Sequence, residues 1–92
     1  MSAEILEELF EVIEDRKKNP RPGSYTCKLL ATGKAGEKVM EEAAELVEAT
    51  KKKGRNEIVY EAADLLYHTL VLLAEKDVQL DEVMEELRRR RK

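Results

Sequence analysis

Apolar residues recur every three to four positions along most of this 92-residue chain, with polar residues between them. That period gathers them on one face of a helix. Ile5, Leu6, Leu9, Val12 and Ile13 make the first stripe and predict a helix from about Ser2 to Lys18. Asn19-Pro20-Arg21-Pro22-Gly23 ends it, because two prolines and a glycine in five residues cannot continue a helix. Ser24 is placed to cap a short helix through Leu30, and Gly33 to close it. A third helix is expected from Lys34 to Lys53, ended by Gly54. Asn56 is the expected N-cap of a fourth, which runs to about Lys76. After a turn at Asp77 to Leu80, Val83, Met84 and Leu87 mark the last helix. No segment alternates apolar and polar residues for long, so no strand is expected. The fold class is therefore all-α. The short links after the third and fourth helices predict antiparallel neighbours in a four-helix-bundle-type core.

The fourth helix changes the picture. Ala62, Ala63, Leu65, Leu66, Leu70, Val71, Leu72 and Leu73 leave it almost no wet face, so burial on several sides is expected. Residues 1–92 suit a single domain, and a chain this short has a marginal core when alone. Dimerisation is the expected way to complete the bundle.

Charge narrows the function. Charged residues are 40% of the chain, yet the net charge is −3, which argues against a general nucleic-acid binder. Arg88-Arg89-Arg90-Arg91-Lys92 departs from that balance. It reads as a helix end complementing the macrodipole, or as a contact for phosphate or a partner. The single Cys27 precludes an internal disulfide and fits a reducing, cytoplasmic compartment. The acidic, amphipathic beginning predicts no secretory signal, and no apolar run is long enough for a membrane span.

Acids interrupt the apolar fourth helix. Glu61, Asp64 and His68 stand at i, i+3 and i+7 and share one face. Carboxylates on the wall of a core are costly unless a cation or strong donors compensate them. On the third helix Glu37, Lys38, Glu41, Glu42, Glu45 and Glu48 fall on one broad side, and Val39, Ala43, Leu46 and Val47 on the other. Glu42 borders the apolar side and is the acid expected to face inward. Such a row of glutamates is ordinarily a solvated face. Packed antiparallel, however, the E-E-x-x-E of Glu41 to Glu45 and the E-x-x-D of Glu61 to Asp64 converge. Oxygen ligands with no cysteine and at most one histidine suit Mg²⁺, or Mn²⁺, rather than zinc. That points to metal-assisted attack on a polyphosphate. His68 reads as a satisfied core ring, as a group orienting Asp64, or, least expected, as a proton carrier. Ser24, Tyr25, Lys28, Lys38 and His68 are candidate substrate contacts, each with an ordinary packing or surface role as the alternative.

These motifs resemble a known family. Ser24-Tyr25-Thr26 with Leu29-Leu30 and Gly33 looks like the S-Y-T-x-x-L-L/F-x-x-G signature of phosphoribosyl-ATP pyrophosphohydrolases. Lys38 followed by Glu41-Glu42-Ala43-Ala44-Glu45 is similar to that family's K-x-x-E-E-A-x-E. The block from Glu61 to His68, continued by Leu70 to Leu73, is similar to its E-A-A-D-L-x-Y-H-x-L-V-x-L. The segment from Gly33 to Glu41 departs from the pattern: it is shorter, and Met40 stands where glycine is frequent. The resemblance implies hydrolysis of 1-(5-phosphoribosyl)-ATP to 1-(5-phosphoribosyl)-AMP and pyrophosphate, the second step of histidine biosynthesis. It also implies a homodimer or higher assembly, and metal acids at Glu42, Glu45, Glu61 and Asp64, with Glu41 a fifth catalytic acid. The acidic motifs by themselves fit the wider all-α MazG-like superfamily, so a housecleaning (d)NTP pyrophosphatase is the alternative enzyme. A helical dimerisation module without catalysis is the reading from another class.

Overall fold

Chain punctuation decides where each helix stops. The computed structural model describes residues 4–52 and 54–91. It contains α1 (Glu4–Lys18), α2 (Tyr25–Thr32), α3 (Ala35–Lys52), α4 (Arg55–Glu75) and α5 (Leu80–Arg90), with no strand among the described residues. Ser24 caps α2: its hydroxyl accepts the Cys27 N–H at 3.2 Å. Gly33 closes α2 at φ 67°, with its N–H donating to the Leu29 carbonyl at 2.9 Å. The end of α4 uses Asp77 in the same left-handed region, at φ 58°. The Val78 N–H reaches back to the Leu73 carbonyl and the Asp77 N–H to that of Ala74, a Schellman closure. Lys17 ties this end to α1 by donating to the Ala74 carbonyl at 2.7 Å and pairing with Asp77.

Two expectations about the helices are corrected. Asn56 is not the N-cap of α4; Gly54 holds that position, and the helix already includes Arg55. The stripe on α1 is rotated from the expected one. Phe10 and Ile13 are buried and Leu6 and Leu9 pack beside them, whereas Ile5 and Val12 are 65% and 45% exposed. Leu6, Leu9, Phe10 and Ile13 fit one face at i, i+3, i+4 and i+7, and the wider expected stripe cannot all be inside. Of the first expected helix, Ser2 lies outside the described residues, as does Lys53 of the third.

The core gathers Phe10, Ile13, Leu29, Ala35, Leu70, Val71, Ala74 and Leu80. It therefore sits where α1, α2 and the start of α5 meet the second half of α4 and the first turn of α3. The most extensive contact is between α3 and α4. Gly36 approaches Leu72, and Glu42 approaches Asp64, so the two helices run antiparallel. Their far half, toward Gly54, projects beyond the core. Val47, Val59, Tyr60 and Leu66 there are more than half exposed.

The cap provides a modest test of the reading of α2. Ser24→Ala leaves an N-terminal N–H without its acceptor and is expected to lower stability by about 1 kcal/mol, measured by urea unfolding. Restoration by Ser24→Asp, a comparable cap, separates loss of the cap from loss of packing.

Candidate active site

The α3–α4 hairpin brings two short acidic motifs to a common place. Glu42 lies on the inner edge of α3 and is only 3% exposed, as its position beside Val39, Ala43 and Leu46 predicts. Single oxygens of Glu42 and Asp64 and a ring nitrogen of His68 lie within 4.8 Å of one another. Oxygens of Glu41, Glu42 and Glu45 form a second such group. Glu42 thus belongs to both. Glu41 and Glu45 are exposed, and Asp64 is partly buried. Glu61, one turn before Asp64, is also partly buried but belongs to neither group.

Burial pushes the Glu42 carboxyl up to about 7, and the neighbouring Asp64 adds to the shift. Lys38 acts in the opposite direction. Its ammonium lies 3.4 Å from a Glu41 oxygen and 3.5 Å from Oε1 of Glu42. The other Glu42 oxygen, Oε2, is buried and receives no hydrogen bond. A carboxylate in that state is expensive unless a proton or a cation reaches it. The oxygen-rich donor set around this orphaned atom fits a hard divalent cation better than zinc.

A second layer ties α2 to this site. The Nδ1 of His68 is 2.8 Å from the Asp64 carbonyl, which can only accept, so Nδ1 carries the proton. On the other side of the ring, Nε2 and the Tyr25 hydroxyl are hydrogen-bonded, 2.9 Å apart. Both ring nitrogens are engaged, and the ring is 3% exposed. The Asp64 carboxylate oxygen is 3.8 Å from Nδ1, beyond hydrogen-bond reach. His68 therefore touches Asp64 through its backbone. Next to it, the Thr26 and Tyr67 hydroxyls are hydrogen-bonded. Tyr25 and Tyr67 stack with centroids 6.2 Å apart, and His68 meets both rings edge-on.

The substrate candidates separate by position. Tyr25 is half-exposed, with its pKa raised mainly by burial, and Lys38, Asp64 and Glu42 act on it electrostatically. Lys38 stands directly on the carboxylates. Ser24 spends its hydroxyl on the cap, and Lys28 is exposed and outside both carboxylate groups. Thr26 and Tyr67 stand in the family-like motifs but not among the expected substrate contacts. Their signal is two dipeptides, Tyr25-Thr26 and Tyr67-His68, each presenting adjacent polar groups from one helix to the other.

Comparison with known proteins decides between the families that share such acidic hairpins. Residues 6–91 match the family described as phosphoribosyl-ATP pyrophosphohydrolase. The chain belongs to the phosphoribosyl-ATP pyrophosphohydrolase family. A phosphoribosyl-ATP pyrophosphatase from Methanococcoides burtonii is 50% identical over 91 residues, covering 95% of this chain and 92% of that protein. One from Methanocella arvoryzae is 48% identical, covering 98% of this chain and 99% of the relative. A histidine biosynthesis bifunctional protein, HisIE, from Pyrococcus furiosus is 55% identical over 99% of this chain, which spans only 43% of that longer protein. Among the described residues, no helix of this family member is long and apolar enough to cross a membrane.

Proposed function

We propose that this chain hydrolyses 1-(5-phosphoribosyl)-ATP to 1-(5-phosphoribosyl)-AMP and pyrophosphate, as a single all-α domain acting in the cytoplasm in histidine biosynthesis. The observation that carries this reading is family membership over residues 6–91, joined to relatives of matching length at about half identity that bear the name of this activity. The carboxylate hairpin is the proposed place of reaction.

Glu42, Glu45, Glu61 and Asp64 would hold Mg²⁺, or Mn²⁺ in its place, with Glu41 as a further acid. The buried Glu42 Oε2 without a donor supports that assignment. The chemistry such an ion supplies is neutralisation of the triphosphate and of charge building on the pyrophosphate leaving group. The chain's own residues do the rest. Burial of Glu42 fixes one ligand oxygen in place, and the His68 bond to the Asp64 carbonyl steadies the turn that bears Asp64. Tyr25, half-exposed over the cluster, lines the approach, and Lys38 offers a charge to phosphate. Side-by-side turnover of phosphoribosyl-ATP and a panel of free nucleoside triphosphates tests the assignment. Preference for the free nucleotides would overturn it in favour of a housecleaning pyrophosphatase.

The working unit in this reading is a homodimer or a higher homo-oligomer. Accessible surface is 6874 Å², against about 5,500 Å² for a compact monomer of this mass. The radius of gyration, 14.2 Å, also exceeds the roughly 12 Å of a compact chain of this length. Met40, Ala44 and Val47 on α3 and Val59, Ala63 and Leu66 on α4 repeat at i, i+4 and i+7, and all are exposed. Two such hairpins facing each other complete a four-helix bundle. Leu66→Arg should convert the dimer to a monomer with reduced stability, read by sedimentation equilibrium at low micromolar concentration. A wild-type chain that stays a compact monomer there would sink the dimer.

A further inference from the structure

Lys38 stands where a cation is wanted, and it satisfies that demand only in part. Its ammonium is 3.4 Å from Glu41 Oε1 and 3.5 Å from Glu42 Oε1, shared between two carboxylates and tight against neither. The Glu42 side chain is 4% exposed, and its Oε2 still has no donor. One positive charge is thus spread over a cluster that also includes Glu45 and Asp64. A divalent cation entering among these oxygens would meet an ammonium already on two of them, and like charges a few ångströms apart repel. Lys38 is able to leave. It is 30% exposed and carries its charge on a flexible four-carbon stem.

We propose that Lys38 is an exchangeable counter-ion: its ammonium neutralises Glu41 and Glu42 in the cation-free protein, yields their oxygens to a divalent cation, and then pairs with a phosphate of the substrate. The inference rests on the metal reading given above and adds a positioning role for one residue. It has a signature that a structural lysine lacks. Removing Lys38 strengthens cation binding and weakens polyphosphate binding at once. A lysine that only clamps phosphate weakens the second and leaves the first unchanged. A lysine that only supports the helix moves neither.

The experiment measures Mn²⁺ affinity by electron paramagnetic resonance of the free ion, at fixed pH and ionic strength. Pyrophosphate affinity is then measured by calorimetry at saturating Mn²⁺. Lys38→Met is expected to tighten Mn²⁺ by at least about threefold, because a competing charge is gone. It should weaken pyrophosphate by about tenfold, because a charge-assisted contact is lost. Lys38→Arg should shift Mn²⁺ the other way, since a forked guanidinium holds two carboxylates more firmly than an ammonium. That variant keeps the charge pairing and is the safeguard if Lys38→Met does not fold. Lys51→Met, on the exposed last turn of α3, is the control for general loss of charge and should change neither affinity. Unchanged or weaker Mn²⁺ binding by Lys38→Met, or unchanged or tighter binding by Lys38→Arg, overturns the exchange. Unchanged pyrophosphate affinity overturns the phosphate pairing. A wild-type protein that binds no Mn²⁺ overturns the metal reading and this inference together, whereas wild-type binding with a null Lys38 result overturns only the inference.

Discussion

Asp64→Asn, Glu42→Gln and Glu45→Gln are each expected to lower turnover of phosphoribosyl-ATP by at least about a hundredfold, because a lost charged ligand weakens both cation affinity and leaving-group stabilisation. Glu61→Gln should behave in the same way. The amides are nearly isosteric, so packing is kept and the change is one of charge. Glu37 and Glu48 lie on the same helix and serve as internal controls. Both are exposed, and Glu48 pairs with Lys52 at 2.7 Å on the surface. Replacing either with Gln should change stability by no more than about 0.5 kcal/mol and leave turnover near wild type. The measurement is turnover against magnesium concentration for all the variants. Partial rescue by high magnesium marks a variant whose defect is affinity alone. Equal damage at Glu37 or Glu48 would mean that the cation sits elsewhere on α3.

The contrast between Glu42 and Glu48 shows what a sequence can disclose about such a site. Both are glutamates on one broad side of α3, separated by six positions. Period alone places Glu42 beside Val39, Ala43 and Leu46, and that border position forecasts its burial. What period cannot supply is the depth at which α4 crosses α3. That depth makes Asp64 the partner of Glu42, and it depends on the short connection between α3 and α4 and on the close approach at Gly36. Packing in three dimensions also decides where the apolar pattern misleads. Ile5 and Val12 are as apolar as Phe10, but only one face of α1 meets α4, and a stripe read too broadly admits residues that stay in water. At the start of α4, Asn56 has the chemistry of a cap, yet the chain has already turned at Gly54, whose φ of −82° and ψ of 179° is extended. Ser24 and Gly33 were legible because each has one dominant use, a hydroxyl to cap and freedom at positive φ.

The hydroxyl contacts between α2 and α4 were the least legible part of the site. Tyr25 and His68 are 43 positions apart, and their bond exists only because α2 folds back after the proline-containing turn. His68 by itself suggested a core ring or a partner for Asp64. The geometry gives it elements of both, since a buried ring donates to the Asp64 backbone rather than to its carboxylate. The candidate catalytic layer was thus readable from spacing along two helices, while the layer that steadies it required the third dimension.

The cation-free protein should lose stability as pH rises from about 4.5 to about 7, and Glu42 should be the cause. Its folded pKa, about 7, lies above the ordinary 4.5, so the folded chain holds this proton more tightly than the unfolded chain does. A carboxyl of that kind contributes fully below its unfolded pKa, and the contribution disappears as pH climbs through the folded value. The loss is therefore expected as pH climbs from about 4.5 to about 7. Urea unfolding at several pH values and constant protein concentration measures it. Glu42→Gln carries no proton to lose, so its stability should be flatter with pH, and the difference from wild type isolates Glu42 from other acids. Metal reverses the slope. An ion at Glu42 needs the carboxylate ionised, so saturating magnesium should stabilise wild type far more at pH 8 than at pH 5, where protons compete for the same oxygens. The Gln variant should gain much less from magnesium at pH 8. If wild type and Glu42→Gln share one pH profile in the absence of metal, the buried carboxyl is not the titrating group. If magnesium then stabilises both equally, the ion does not depend on Glu42.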